Sequence, residues 1–338
     1  MAYAGDWQIK GVSKVSQSLP AVVVVNNPTQ LLFAIEAADA FSHSVQELHV
    51  VTVPTQGARE EGLYENLFRA AGIDDIDRLG VDALSRRGRI RDVIRLRRAT
   101  DPTSRIITPM INYLPARALI NRAGQNAVIT DDGSWTLFFA DRRHAGESQY
   151  RTPLHAALPF GRLPRALNFF SIYDEMRPGQ FDSVTPNQLG WAKKTFFQHK
   201  PGDHLVLLGS DLARAGYITN KSLRRHVARM RERFPGKAEY WPHRREDYGV
   251  AQALCQRFDM HLRERSLPFE AEVLAVDPSP AVIATLPSTV TRTLRLLKDT
   301  VGFRIVVAMP SADEIAPQQA KLFEAVSRSA SSDADELL

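Results

Sequence analysis

An apolar run of five residues, from Ala21 to Val25, has no polar residue at alternate positions and consists mostly of valine. Such a run predicts a strand that is buried on both faces, as in a parallel sheet with helices on each side. Residues 26–28, Asn-Asn-Pro, break the strand, and Thr29 is placed to cap a helix whose apolar residues share one side. The chain therefore contains a strand–loop–helix unit near its start.

The same alternation of strands and helices recurs in two series along the chain. The first series adds predicted strands at residues 48–53 and 127–129, and the second has them at residues 204–208, 239–241, 282–285 and 304–307. Strands that alternate with helices predict parallel sheets, here one for each series. The predicted fold class is α/β, with two Rossmann-like lobes and a ligand cleft between them at the carboxyl ends of the strands.

The predicted organisation follows from shifts in composition. It comprises a flexible N-terminus (1–19), a first lobe (20–165), a linker (166–200), a second lobe (201–326) and a disordered tail rich in serine and aspartate (327–338). No apolar run reaches the ~18 residues that a membrane span needs, and the N-terminal residues lack the pattern of a secretion signal. Cys255 is the only cysteine, so a cytoplasmic location is predicted, with peripheral contact at the inner membrane as a further expectation.

The net charge of +5 favours anionic partners. Nucleic acid, an anionic membrane and an acidic glycan all meet that description, and charge alone does not choose among them.

An acidic pair, Asp131 and Asp132, follows the predicted strand at residues 127–129, and Gly133 allows a sharp turn there. Neighbouring carboxylates repel, which can raise the pKa of one of them and tune it as a base. Sugar transfer needs such a base to take the proton from the acceptor hydroxyl. The alternative is a structural turn, because Asp-Gly also predicts a hairpin that continues into a strand at residues 135–139.

His243 follows the short predicted strand at residues 239–241. Pro242 makes the approach rigid, while Arg244 and Arg245 surround the imidazole with positive charge. An imidazole in a basic pocket suits a phosphate. No second His, Cys or acid stands at ligand spacing, so no metal site is predicted. The alternative is a surface histidine in a basic loop.

Three further places are candidates for binding a nucleotide. Ser288 and Thr289 follow an apolar strand and open a helix, whose N-terminus is an anion site, although simple helix capping is the alternative. Gly209 and Ser210 end the first strand of the second lobe, where backbone can approach a phosphate. Glu270 could accept hydrogen bonds from a ribose diol, or it could be an exposed glutamate at a helix start.

In their order along the chain, these motifs resemble those of the bacterial sialyltransferases and polysialyltransferases. The sequence Asp131-Asp132-Gly133 resembles their Asp/Glu-Asp/Glu-Gly motif, Tyr240-Trp-Pro-His243 resembles their His-Pro region, and Ser288-Thr289 resembles their later Ser/Thr pair. The resemblance spans roughly residues 21 to 310 and includes residues 27–32 and 208–210. One position departs from the pattern, since Arg244 stands where the family usually has proline.

The resemblance implies a GT-B architecture, inversion at the anomeric carbon and a CMP-activated nonulosonic acid, such as CMP-sialic acid, as donor. It places an acid of the Asp131–Asp132 pair as general base and His243 at the donor phosphate. It implies that no metal and no cofactor is required, and that the acceptor is an oligosaccharide, polysaccharide or glycolipid of the cell surface. The predicted nucleotide-sugar contacts are Gly209, Ser210, Pro242, Arg244, Glu270, Ser288 and Thr289.

Residues 85–98 hold seven arginines. At helical pitch Arg87, Arg91, Arg95 and Arg98 fall on one face, which predicts a track for a polyanionic acceptor or for an anionic membrane that presents a glycolipid. A solvated helix face is the alternative, and nucleic acid is disfavoured because the segment has no interleaved aromatic residues. The predicted acceptor contacts are Asn27, Gln30, Arg87, Arg91 and Arg95.

Two other functions remain open at this point. One is a GT-B transferase that uses CMP-Kdo or a UDP-sugar, and the other is a non-catalytic polyanion-binding protein built on the same two lobes.

Overall fold

The computed structural model describes residues 21–54, 58–79, 85–147, 162–198 and 200–338, and the predicted flexible N-terminus, residues 1–19, lies outside them. The first lobe contains, in chain order, β1 (Ala21–Val25), α1 (Pro28–Ala40), β2 (His49–Thr52), α2 (Ala58–Ala71), β3 (Ile76–Arg78), α3 (Arg86–Ala99), β4 (Arg105–Thr108), α4 (Leu114–Ala123), β5 (Ala127–Ile129), α5 (Ser134–His144), β6 (Asn168–Ser171) and β7 (Ser183–Pro186).

Helix α6 (Gly190–Phe196) connects the two lobes. The second lobe then contains β8 (Leu205–Leu208), α7 (Asn220–Arg233), β9 (Ala238–Trp241), α8 (Tyr248–Phe258), β10 (His261–Leu262), α9 (Phe269–Ala275), β11 (Val282–Thr285), α10 (Val290–Val301), β12 (Arg304–Val307), α11 (Ala320–Asp333) and β13 (Glu336–Leu337).

Each lobe is built on one parallel sheet. The strand order is β3-β2-β1-β4-β5-β6-β7 in the first sheet and β10-β9-β8-β11-β12-β13 in the second, and the named strands pair in parallel throughout. In both sheets the order reverses beside the first strand, between β1 and β4 and between β8 and β11, and doubly wound sheets bind ligands at such points. The predicted α/β class and its two-lobed architecture are confirmed.

The valine run forms the strand that its composition predicts. All five residues of β1 are buried, and Val23, Val24 and Val25 have no exposed surface. Strands β2 and β4 flank β1 within the sheet. At roughly 25 cal/mol for each Å² of apolar surface removed from water, a central strand of this kind contributes several kcal/mol to folding.

The predicted linker, residues 166–200, is wrong in its first part. Strand β6 pairs with β5, and β7 pairs with β6, so both belong to the first sheet. The aromatic pair Phe169–Phe170 is buried in β6, but β6 and β7 have four residues each and lie in a stretch rich in proline and arginine. Because of this composition the sequence did not indicate strands β6 and β7. The end of β6 reaches the site described below.

The predicted disordered tail, residues 327–338, is also wrong. Helix α11 continues to Asp333, and β13 pairs in parallel with β12. The acidic residues there have partners: Asp333 Oδ1 accepts from Arg295 at 3.2 Å, and Asp335 accepts from Lys298 at 2.7 Å. Because these ion pairs tie the segment to α10, a polar composition did not prevent it from folding.

The apolar core is continuous from the first lobe into the second. Helix α6 packs against α1 of the first lobe and α9 of the second. Within the described part of the chain, no helix combines the length and the hydropathy needed to cross a lipid bilayer.

Candidate active site

A cavity of about 350 Å³ lies between the two lobes, at the carboxyl ends of both sheets. The first lobe lines it with Asn27, Pro28, Thr29, Gln30, Phe33, Leu63, Asp131, Asp132, Gly133, Ile172 and Tyr173. The second lobe lines it with His243, Arg244, Arg245, Arg265, Pro268, Phe269, Glu270, Ser288, Thr289, Val290 and Thr293. The charged residues of the first wall are therefore both acidic, whereas those of the second wall are three arginines and one glutamate, beside His243.

Asp131 stands at the end of β5 and is 1% exposed. Its Oδ1 accepts a hydrogen bond from the Ser171 hydroxyl at 2.7 Å, and its Oδ2 accepts from the backbone N–H of Ile172 at 2.7 Å. Burial raises the pKa of this carboxyl to about 7, although these two hydrogen bonds act in the opposite direction. Asp131 is thus oriented by the end of β6 and is ready to lose or gain a proton near neutral pH.

Asp132 is the exposed member of the acidic pair. Its Oδ1 accepts from the side-chain amide of Gln30 at 2.8 Å, and its backbone N–H donates to Thr136 Oγ1 at 2.7 Å. Asn27 in turn caps α1 by accepting from the backbone N–H of Gln30 at 3.0 Å. Two residues predicted to bind the acceptor, Asn27 and Gln30, therefore line the cavity, and Gln30 also holds the outer carboxylate.

Gly133 explains how the acidic pair can precede a helix directly. Its φ of +57° lies in the left-handed region, and α5 begins at the next residue. A Cβ placed on Gly133 would lie 3.7 Å from Thr289 Oγ1, so this turn faces the second lobe. The hairpin alternative is wrong, because residues 135–139 are helical and do not form a strand.

His243 is half-buried on the opposite wall. Its Nδ1 accepts from the backbone N–H of Arg245 at 3.2 Å, so any single proton on the imidazole lies on Nε2. Burial is the largest cause that lowers the pKa of His243 to about 4, and the charges of Arg244, Arg265 and Arg245 act in the same direction, while the carboxylate of Asp211 opposes them. The imidazole is therefore neutral at pH 7 and carries one N–H donor.

Two arginines beside His243 are fixed by different partners. Arg244 Nη1 donates to Glu60 Oε1 of α2 at 2.7 Å, and so crosses from the second lobe to the first. Arg265 Nη2 donates to the carbonyl of Pro242 at 3.1 Å, and burial lowers the pKa of its guanidinium. Both arginines line the cavity and also a neighbouring one of about 270 Å³, to which Pro242 and His243 contribute.

Glu270 is buried in the cavity wall, not exposed at a helix start. Burial raises its pKa, while Arg265 and a hydrogen bond with Thr29 of the first lobe oppose that shift. Its Oε2 is buried without a protein partner. Because Glu270 lines the cavity, this oxygen is a candidate acceptor for a ligand hydroxyl.

Ser288 and Thr289 line the cavity immediately before α10. The Ser288 hydroxyl accepts from the backbone N–H of Val290 at 3.4 Å, a long capping contact, and the Thr289 side chain makes no capping bond. These groups and the first N–H groups of α10 can donate to an anion in the cavity.

Gly209 and Ser210 do not line this cavity. A Cβ on Gly209 would lie 2.5 Å from the backbone nitrogen of His243 and 2.9 Å from Cα of Pro242, so only glycine allows the His243 loop to pack here. The Ser210 hydroxyl accepts from the backbone N–H of Leu212 at 3.1 Å. Gly209 thus supports the His243 loop from behind, and direct contact of these two residues with a nucleotide stays a prediction.

The arginines of α3 also lie outside the cavity. Arg87, Arg91 and Arg95 are exposed, and Arg95 Nη1 lies 3.2 Å from Asp77 Oδ1. They therefore do not line the cavity with Asn27 and Gln30, the other residues predicted to contact the acceptor.

Sequence reasoning missed Arg265 and the Ser171–Tyr173 segment. Arg265 follows β10, a strand of two residues that is too short to give a periodic pattern. Ser171 ends β6, which proline-rich and arginine-rich neighbours obscured, although the buried Phe169–Phe170 pair just before it was an available signal. Within the described ranges, no cluster of three or more His, Cys, Asp or Glu residues could hold a metal ion.

No protein-family model and no curated protein matches the chain. Among solved structures, it is similar to a sialyltransferase from Photobacterium damselae (residues 113–497, its GT-B domain), with 14% identity, 94% of this chain and 99% of that chain covered, and a TM-score of 0.49. It is also similar to a protein described as a putative UDP-N-acetylglucosamine 2-epimerase from Listeria monocytogenes. That match has 11% identity and a TM-score of 0.49, and it covers 94% of this chain and 88% of the other. A third match, to MurG of Acinetobacter baumannii, has 12% identity and a TM-score of 0.44, and it covers 94% of this chain and 85% of the other. One fold hosts many activities, so function has to be argued from the site.

Proposed function

We propose that the protein is an inverting glycosyltransferase that moves a nonulosonic acid from a CMP-activated donor to a glycan acceptor. One observation carries the proposal: the acidic pair Asp131–Asp132 of the first lobe and His243 of the second line the same cavity. The resemblance of these motifs to those of the bacterial sialyltransferases supports the choice of donor.

The proposed reaction is a single displacement. The acceptor hydroxyl oxygen forms a bond to the anomeric carbon on the face opposite the phosphate. The bond between that carbon and the phosphate oxygen breaks, and its electron pair leaves with CMP. The hydroxyl proton passes to the acidic pair. A cavity with acids on one wall and cations on the other suits a reaction in which a base takes a proton while negative charge grows on phosphate.

Asp131 is the proposed base. A base is most effective when its pKa lies near the working pH, and the pKa of Asp131 is raised to about 7. Each carboxylate oxygen can accept two hydrogen bonds, so the bonds from Ser171 and Ile172 orient the group and leave acceptor capacity. Asp132, held by Gln30 at the exposed side, keeps negative charge beside Asp131 and helps to raise its pKa.

His243 is proposed to bind the donor phosphate through its neutral Nε2–H group. Because its pKa is lowered to about 4, His243 acts first as a neutral hydrogen-bond donor. Ser288, Thr289 and the N-terminus of α10 would hold other phosphate oxygens. A CMP-nonulosonic acid carries a carboxylate as well as a phosphate, and Arg244 and Arg265 on the same wall provide charge for both anions.

Glu270 is proposed to accept hydrogen bonds from the ribose diol of the donor, because its Oε2 is buried beside the cavity without a protein partner. Asn27 and Gln30 are proposed to contact the acceptor glycan on the opposite wall. The proposal invokes no metal and no cofactor, because hydrogen-bond donors and cations of the chain itself face the phosphate.

Nucleotide binding tests the donor class. Thermal unfolding is measured with CMP, CDP, UDP and GDP, and CMP is expected to raise Tm, since a ligand at 100 times its Kd adds about 2.7 kcal/mol to the stability of the folded state. Glu270→Ala and His243→Ala should reduce the CMP shift. Glu47→Ala, at an exposed glutamate away from the cavity, is the matched control and should not.

Each other outcome points to one of the alternatives. A shift with UDP but not CMP would contradict the proposal and favour a UDP-sugar donor, and a shift with CDP or GDP alone would contradict it as well. If CMP binds, turnover of CMP-sialic acid against CMP-Kdo identifies the sugar. No shift with any nucleotide, together with salt-sensitive binding of an acidic polysaccharide, would indicate a non-catalytic polyanion-binding protein.

A further inference from the structure

Helix α3 presents a stripe of exposed residues along its outer face. The opposite face is buried: Val93 packs with Leu114 and Ala118 of α4, and Leu96 belongs to the main core. The exposed residues recur at intervals of three and four, which places them along one side of the helix. The α3 stripe consists of Arg87, Ile90, Arg91, Ile94, Arg95 and Arg98.

The two isoleucines distinguish the α3 stripe from an ordinary solvated face. Ile90 is 37% exposed and Ile94 is 49% exposed, and they alternate along the helix with the arginines. Large apolar side chains at the centre of a cationic face are typical of helices that lie in the interface of an anionic membrane. A nucleic acid would favour aromatic residues for stacking, and a polysaccharide offers no apolar layer to receive isoleucine.

Helix α7, all of whose residues are described, provides an internal comparison. It is also strongly basic and exposes Lys221, Arg224 and Arg229, yet its large apolar residues are buried. The α3 stripe therefore differs from a second basic helix of the same chain in its exposed isoleucines rather than in its charge.

We propose that the α3 stripe docks the protein on an anionic lipid surface, with the arginines at the headgroups and the two isoleucines in the boundary of the acyl layer. Helix α3 has 14 residues, about 21 Å in length, so it can lie flat on a bilayer surface. The stripe lies outside the cavity between the lobes, and docking does not depend on the transfer reaction.

Vesicle co-sedimentation at low ionic strength tests the proposal with the full chain. The wild type should bind phosphatidylcholine vesicles that contain phosphatidylglycerol and should not bind phosphatidylcholine alone. The variant R87Q/R98Q should weaken partitioning by about 25-fold, since each cation near an anionic surface contributes about fivefold. Arg91 and Arg95 are left in place, because Arg91 lies 3.7 Å from the buried carboxylate of Asp92 and Arg95 contacts Asp77.

The variant I90S/I94S tests the apolar half of the α3 stripe. It should weaken partitioning by roughly tenfold or more while the net charge stays the same. The matched control is K221Q/R224Q on α7, which removes the same number of charges from exposed positions and should bind vesicles nearly as the wild type does. All the substituted residues are exposed, so Tm should change little, and circular dichroism checks this.

Three results would overturn the proposal. The first is no binding of the wild type to anionic vesicles. The second is an equal loss in the α3 arginine variant and the α7 control, which would make overall charge responsible. The third is full vesicle binding by I90S/I94S together with competition by dextran sulfate, which would indicate a surface for soluble polyanions.

Discussion

Burial moves the pKa values of Asp131 and His243 in opposite directions, to about 7 and about 4 respectively. In each case low dielectric disfavours the charged form. Asp131 therefore holds its proton at a higher pH than an exposed aspartate, and His243 holds its proton only at a lower pH than an exposed histidine. At neutral pH the site contains a carboxyl near its titration midpoint and an uncharged imidazole.

The rate of transfer should depend on pH through the ionisation of Asp131. The base must be ionised, so kcat/KM should rise as pH increases through about 7 and then level off. Asp131→Asn should abolish transfer. Asp132→Asn should retain part of the activity and move the rise to lower pH, because the Asp132 charge contributes to the raised pKa of Asp131. Initial rates from pH 5 to 9 measure both effects, and an unchanged profile in Asp132→Asn would contradict the assignment.

His243 should be unprotonated at neutral pH in the free protein. With a pKa of about 4, its imidazole should not titrate between pH 6 and 8 in the free protein. Bound CMP should raise this pKa, because an anionic phosphate stabilises the protonated form. Two-dimensional NMR of the imidazole signals, assigned by comparison with His243→Ala, measures the titration. If it has a midpoint above 6 without ligand, the neutral-donor role of His243 is wrong.

Residues that directly follow an apolar strand could be located from the sequence, and Asp131, Asp132, His243, Ser288 and Thr289 all line the cavity as expected. Residues that reach the cavity from irregular segments could not. Arg265 follows a two-residue strand, and its position depends on a contact with the Pro242 carbonyl that no local pattern encodes. Gly209 was located correctly at a strand end, but the packing of the His243 loop against it is a tertiary contact.

At the scale of elements, the strands richest in β-branched and aliphatic residues were the most predictable. Strands β11 and β12 have the predicted bounds, residues 282–285 and 304–307, because a strand buried on both faces needs a nearly continuous apolar run. Strands β6, β7 and β13 lie at or near sheet edges, and polar, proline-rich or acidic residues next to them dominate the local composition. They fold through pairing with a sheet that already exists rather than through their own propensity.

Glu36 is predicted to hold helix α6 in its place between the lobes. This buried residue of α1 accepts from the backbone N–H groups of Trp191 at 3.0 Å and Ala192 at 2.7 Å, the first turn of α6. Glu36→Ala removes both acceptors and should cost roughly 2–4 kcal/mol of unfolding free energy. Glu36→Gln keeps one acceptor and should cost less. Urea denaturation measures the series.

Glu47→Ala is the control for Glu36, because Glu47 is exposed, and it should change stability by less than about 0.5 kcal/mol. If Glu36→Ala were no less stable than this control, α6 would not depend on the carboxylate. A graded loss from Gln to Ala would instead indicate that the two backbone N–H groups need buried acceptors.

In the molecule as a whole, several contacts join the two lobes at or beside the cavity. Thr29 bonds Glu270, the Gly133 turn faces Thr289, and the Asn66 amide of α2 donates to the Ser266 carbonyl at 2.9 Å. The two-lobed form was predictable from the alternation of strands and helices, but these contacts were not, since each joins residues more than a hundred positions apart. Closure of two walls around a ligand excludes water, which would otherwise compete as acceptor.

The ion pair between Arg244 and Glu60 is the contact between the lobes that can be tested most directly. Arg244 is adjacent to His243 and stands where the similar family usually has proline, and its Nη1 lies 2.7 Å from Glu60 Oε1. Glu60 is 6% exposed and the Arg244 side chain is 29% exposed, so the pair is only partly screened by water. Breaking it leaves a buried carboxylate without its cation and frees the loop that carries His243.

Arg244→Met should therefore lower the unfolding free energy by roughly 1–3 kcal/mol and raise the donor KM more than it lowers kcat. Glu60→Gln should have a smaller effect on stability, and the double variant should lose less than the sum of the two, because the partners interact. Denaturation curves and initial rates of the four proteins give the coupling. The Arg233–Glu336 pair lies within the second lobe, with its atoms 2.8 Å apart, and it is more exposed than the Arg244–Glu60 pair. The same set of variants at this pair is the matched control. It should show a coupling energy below about 1 kcal/mol and no change in KM. If the two cycles gave the same coupling and KM were unchanged in Arg244→Met, then the contact across the cleft would not position His243.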